Sequence, residues 1–108
     1  METLIQVFTT RHKSLRDRIV NDDVRLERYG LSVKREKKQG RKHGWAKLKS
    51  TDNRRGAINI EWNRRSRMLL CRVITKGESK PYLIIGDLIS YLLAGYSKSI
   101  QTIHFAGK

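Results

Sequence analysis

The stretch from Ala57 to Thr75 limits the folds open to this chain more than any other. Ile58, Ile60 and Trp62 alternate with Ala57, Asn59 and Glu61; the polar run Asn63-Arg64-Arg65-Ser66 follows, and Leu69, Cys71 and Val73 then alternate again. Period-two alternation on either side of a polar turn predicts a β-hairpin with strands over 57–62 and 67–75. The second strand also carries Met68, Leu70 and Ile74 on its other face beside Arg72. A strand with apolar residues on both faces belongs inside a sheet, so the chain must supply further strands and a covering layer.

Candidates for both are present. Trp45-Ala46-Lys47-Leu48-Lys49 alternates and predicts a strand over 45–49, leading into a polar turn over 50–56. Ile100 to Phe105 alternates as a last strand, with Ile103 and Phe105 inward. Leu88, Ile89, Leu92, Leu93 and Tyr96 have helical spacing and predict a helix over 87–96 with Asp87 as its cap. Gly77 to Pro81 is a turn, and 81–85 fits either a brief strand or the entry to that helix. Near the N-terminus, Leu4, Phe8, Leu15 and Ile19 fall close to whole helical turns and predict an amphipathic helix over 3–20. Asn21 ahead of Asp22 and Asp23, with Gly30 beyond, predicts a second helix over 22–29, with Val24 and Tyr29 inward and Leu26 less clearly so. The expected fold class is α+β: N-terminal helices with a small, mainly antiparallel sheet of three to four strands packed on helix 87–96. A length of 108 residues suits a single domain over 1–108.

Charge is concentrated in the middle of the chain. Residues 31–80 hold sixteen Lys/Arg against four Asp/Glu, whereas 1–30 hold six against five and 81–108 two against one. Of the formal net charge of +14, the central fifty residues therefore carry +12. A field of that size draws in polyanions and repels further copies of the same chain. The densest part, VKREKKQGRKHGWAKLK at 33–49, has eight basic residues around one carboxylate, and 32–43 offers too little apolar surface to fold. It reads as a mobile basic loop or arm.

Such a run can follow a phosphate backbone, each cation displacing condensed counterions. The candidate nucleic-acid contacts are Lys34, Arg35, Lys37, Lys38, Arg41, Lys42, His43, Trp45 and Lys47 on and beside the arm, with Arg54, Arg55, Arg64, Arg65 and Arg67 in the two sheet turns. Both turns are expected to direct cations to one side, and arginine can make forked bonds to phosphate or guanine. The sequence thus points to non-catalytic nucleic-acid binding, DNA ahead of RNA. The plainer readings are a solvated face or a localisation signal such as Lys34-Arg35-Glu36-Lys37-Lys38. Trp45 and Trp62 could both stack on bases, although the alternation of Trp62 with isoleucines places it in the core.

Chemistry-bearing constellations are sparse. His12, His43 and His104 have no carboxylate or cysteine at ligand spacing, so neither a metal nor a cofactor is expected. Cys71 has apolar neighbours and reads as a small buried hydrophobe. It is the single cysteine, which suits a reducing compartment, and no apolar run reaches membrane-spanning length. The expected setting is intracellular, cytoplasmic or nucleoid-associated, with no membrane partner. Two enzymatic alternatives remain. Asp52, Glu61 and Glu78 could gather around magnesium, although Asn63 stands where a lysine would complete the pattern. A metal-free ribonuclease could instead use His43, Arg54, Glu61, Arg65 and Arg67 to move protons and stabilise a pentavalent phosphate.

The order of helix and sheet over 22–75 resembles that of the RelE-type messenger-RNA interferase toxins, and the resemblance implies RNA cleavage of the second kind. No motif of that family is matched, and the terminal helix and strand depart from it. The double-stranded RNA-binding domain also places a helix and three strands before a helix, but Gly86-Asp87-Leu88 stands where its lysine cluster belongs. Finally, helix 87–96 is apolar around more than half its circumference, which predicts a homodimer through that helix.

Overall fold

The computed structural model describes residues 2–34, 45–52, 56–76 and 80–107. The elements run β1 (Glu2–Thr9), α1 (Leu15–Val20), α2 (Asp23–Arg28), β2 (Leu31–Lys34), β3 (Trp45–Ser50), β4 (Ala57–Asn63), β5 (Met68–Ile74), α3 (Pro81–Tyr96) and β6 (Ile100–Gly107). All six strands join one antiparallel sheet in the order β2-β3-β4-β5-β1-β6. The expected fold, N-terminal helices with a sheet of three to four strands, is thereby corrected: the chain opens on a strand, and the sheet is larger.

The misplaced helix over 3–20 has a simple cause. Leu4 and Phe8 are four residues apart, which fits one helical turn and equally fits two steps along one face of a strand. The residues between them decide. Thr3, Ile5, Val7 and Thr9 are β-branched at every second position, and Ile5 and Val7 are fully buried. The helix is confined to α1, where Ser14 Oγ accepts from the Asp17 N–H at 3.2 Å and Leu15 and Ile19 are buried one turn apart. Likewise the first three positions of the expected mobile arm, 32–34, belong to strand β2, because Leu31 and Val33 alternate, opposite Ser50 and Leu48. The remainder of the expected arm, 35–43, lies outside the described residues.

Strands expected at 45–49, 57–62, 67–75 and 100–105 are present with boundaries shifted by a residue or two, and β5 is central, between β4 and β1. Helix α3 begins six residues before the expected start. Pro81 at its first turn is pre-set for a helix, so Asp87 lies inside α3 and does not cap it. Gly30, at φ 78°, closes α2 as expected, but Val24 is 68% exposed while Leu26 is fully buried. Phe105, expected inward, is 57% exposed.

All three helices cover one face of the sheet. Ile5, Val7, Leu48, Ile58, Ile60, Leu69, Cys71 and Val73 from the strands pack with Leu15, Ile19, Leu26, Ile84, Leu88, Tyr91 and Leu92 from the helices. Trp62 packs against this core, and burial pushes the Cys71 thiol up to about 12. The stripe of α3 is thus taken up largely by the sheet, with Leu83 and Leu93 left exposed on its outer side. A polar pin fastens α3 to α2: Tyr91 and Tyr96 donate to the same carboxylate oxygen of Asp22, at 2.8 and 2.9 Å, with their hydroxyls 3.1 Å apart. Arg18 lies over the Tyr96 ring, and Arg25 lies within cation–π range of both rings. Among the described residues no helix is long and apolar enough to cross a membrane.

Candidate nucleic-acid interface

The other face of the sheet carries no helix among the described residues, and strand register fixes what it displays. Side chains directly opposite one another in an antiparallel pair share a face. Lys34 stands opposite Lys47, Lys47 opposite Asn59, Asn59 opposite Arg72, and Arg72 opposite Leu4. One row across the sheet therefore reads Lys34, Lys47, Asn59, Arg72, Leu4. A neighbouring row runs Trp45, Glu61, Leu70, Gln6, His104. Phe8, on the same face, meets His104 edge-on with ring centroids 5.7 Å apart. Arg72 Nε donates to Glu2 at 3.1 Å, both side chains partly exposed.

Topology also gathers basic residues at one end of the sheet. Strand β2 ends at Lys34 and β3 begins at Trp45, both at this end. Because Trp45 faces Glu61 and Asn63 faces Met68, the β4–β5 turn with Arg64, Arg65 and Arg67 leaves from that same end. So does the link from β1 to α1, with exposed Arg11, His12 and Lys13, since Phe8 faces Met68. The Thr9 N–H donates to the Arg67 carbonyl at 2.8 Å and the Arg67 guanidinium to the Thr10 carbonyl at 3.4 Å. Arg67 is held at φ 53°, unusual for a side chain of its size, and these bonds fix the shape of the turn. Arg16 ties α1 to the same end by donating to the Trp45 carbonyl at 3.0 Å.

The candidate residues are thus partly brought together. Lys34, Trp45 and Lys47 share the helix-free face, and Arg64, Arg65 and Arg67 crown its end. Arg35, Lys37, Lys38, Arg41, Lys42 and His43 lie outside the described residues, as do Arg54 and Arg55. The expectation that both turns point to one side is corrected: the connections 51–56 and 64–67 join opposite ends of β4, as consecutive turns of an antiparallel meander must. Sequence reasoning missed Lys49, Asn59, Arg72 and Gln6. The parity of Lys47 and Lys49 was available, but Arg72 and Gln6 join the face only through register.

For catalysis the geometry is narrower. Glu61, Trp62, Asn63, Arg64, Arg65, Met68 and Leu70 line an open groove of ≈ 420 Å³, which unites two of the ribonuclease candidates. Asp52 precedes β4 whereas Glu61 is its fifth residue, about 13 Å along the strand from its start at 3.3 Å per residue, so the two cannot share a magnesium ion. Among the described residues no three His, Cys, Asp or Glu side chains converge at metal-binding distance. No protein-family model, curated protein or solved structure matches this chain.

Proposed function

We propose that this protein binds nucleic acid through its phosphate backbone without cleaving it. The observation that carries this reading is the meeting of the end of β2 at Lys34, the start of β3 at Trp45, the turn arginines 64, 65 and 67, and Arg11 and Lys13 at one end of a sheet whose adjoining open face bears Lys34, Lys47, Lys49 and Arg72. Cations on several chain segments can hold phosphates simultaneously, and their binding then weakens with salt by a log–log slope of roughly −0.9 per phosphate on duplex DNA.

Anisotropy titrations of labelled duplex DNA, single-stranded DNA and structured RNA test this, from about 50 to about 300 mM salt. Steep log-linear loss of affinity is expected. Replacement of Lys37, Lys38, Arg41 and Lys42 by alanine should flatten the slope for every ligand, and DNA is expected ahead of RNA. Salt-insensitive or absent binding overturns the reading. The groove uniting Glu61 with Arg65 favours metal-free RNA cleavage as the second reading, which cleaved RNA on a gel without magnesium would establish in its place.

A further inference from the structure

We infer that the nucleic acid this protein takes is single-stranded, laid across the helix-free face at right angles to the β-strands; this rests on the proposed function and adds the ligand's form. Size is the first reason. Six strands at about 4.8 Å spacing make a face roughly 24 Å across, whereas the major groove of B-DNA is about 12 Å wide and admits a helix or a two-stranded ribbon. A duplex can touch such a face only from outside, through its phosphates.

Composition of the face is the second reason. Its two central rows are unlike. Lys34, Lys47 and Arg72 are cations in one, complementary to a phosphodiester chain, whereas the other has Trp45 near one end and His104, in contact with Phe8, at the other, with Glu61, apolar Leu70 and Gln6 between. Two residues of strand separate the rows, about 7 Å. A single strand can place phosphates along the first row and turn its bases onto the second. Paired bases are stacked inward and cannot reach it, whereas unpaired bases stack on aromatic rings regardless of sequence.

The test uses the intact protein with a labelled twenty-nucleotide oligothymidylate and a duplex of equal length at matched salt. The single strand is expected to bind at least tenfold tighter than the duplex, and to quench tryptophan emission much more strongly in the parent than in Trp45→Phe, since Trp62 is packed against the core and only its edge reaches the groove beside Glu61. Lys47→Gln with Arg72→Gln should weaken single-strand binding about tenfold and duplex binding less than about threefold. Should that pair fail to fold by circular dichroism, Lys34→Gln with Lys47→Gln addresses the same row from β2 and β3. Equal or tighter duplex binding, or unchanged quenching in Trp45→Phe, overturns the inference. Salt-dependent duplex binding with silent tryptophans would do so while leaving the proposed function standing, whereas no binding to either ligand removes both.

Discussion

Replacing Asp22 by alanine tests whether the pin between α2 and α3 holds the helical layer in place. Two tyrosine hydroxyls donate to one oxygen of this carboxylate, at 2.8 and 2.9 Å. Hydrogen bonds to a charged acceptor contribute about 1.5–3 kcal/mol each, and two reductions apply. The Tyr91–Tyr96 contact at 3.1 Å survives and satisfies one hydroxyl, and the Asp22 side chain is 21% exposed, so water can replace part of what is lost. The Arg25–Asp22 pair, 3.4 Å apart and partly exposed, adds only a few tenths of a kcal/mol. A net loss of about 2–3 kcal/mol follows, or roughly 10–15 °C in melting temperature. Asp22 occupies the N-cap of α2 without a side-chain capping bond, so the folded variant should keep its helical circular dichroism. Urea unfolding of Asp22→Ala, Tyr91→Phe and the double variant measures the effect, with a coupling of at least about 1 kcal/mol expected. Stability of Asp22→Ala within about 0.5 kcal/mol of the parent, or strict additivity, would refute the reasoning.

Three further outcomes are open to measurement. Tyr91 and Tyr96 hold their protons above the ordinary value of 10.0, chiefly because burial disfavours the phenolate, helped by the bonds to Asp22 and, for Tyr91, to Tyr96. Above pH 10 these two groups therefore hold more protons in the folded chain than in the unfolded one, so their contribution to stability should be constant below that pH and decline above it, with two of the four tyrosines lagging in an ultraviolet titration; four tyrosines ionising together would count against this. Gly56 sits at φ 110° with the Ile74 carbonyl where a Cβ would stand, so Gly56→Ala should cost about 2–4 kcal/mol by chemical unfolding, and a loss below about 1 kcal/mol would show that the β3–β4 connection can shift. If a second copy docks on α3, the surface left to it is the outer side bearing Leu83 and Leu93; sedimentation at tens of micromolar should then show a dimer that Leu93→Lys dissociates, and a monomeric parent would dismiss the homodimer.

What could be read from the sequence depended on how local its causes are. The β4–β5 hairpin was legible because alternation and a polar turn sit within twenty residues of each other. Strand β1 was not, because its partners lie at 68–74 and 100–107 and its two apolar anchors suit either period. Strand β2 is four residues long, too short for periodicity to stand out beside a basic run. In α2, burial of Leu26 over Val24 was settled by which side of the helix meets β2. The basic character of the site followed from charge alone, but its arrangement into rows needed the register of five strand pairs. Nothing in sequence joins Asp22 to residues 69 and 74 positions away.

The interior position of β1 sets a timetable for folding. As the chain is made, residues 2–9 appear before the other five strands, yet the strands on either side of them, β5 and β6, are the last two of these to follow. The meander β2-β3-β4-β5 can close through short-range turns while β1 waits with Ile5 and Val7 unsheltered, and its insertion must overcome the loop-closure entropy of most of the chain. During that wait it is an unprotected strand of the kind that seeds association, and the charge of +14 on the same chain keeps neighbouring copies apart. Refolding is therefore expected to have a late phase in which β1 becomes protected from hydrogen exchange together with β6 and after β4, and high salt should divert more of the chain into aggregates at just that stage.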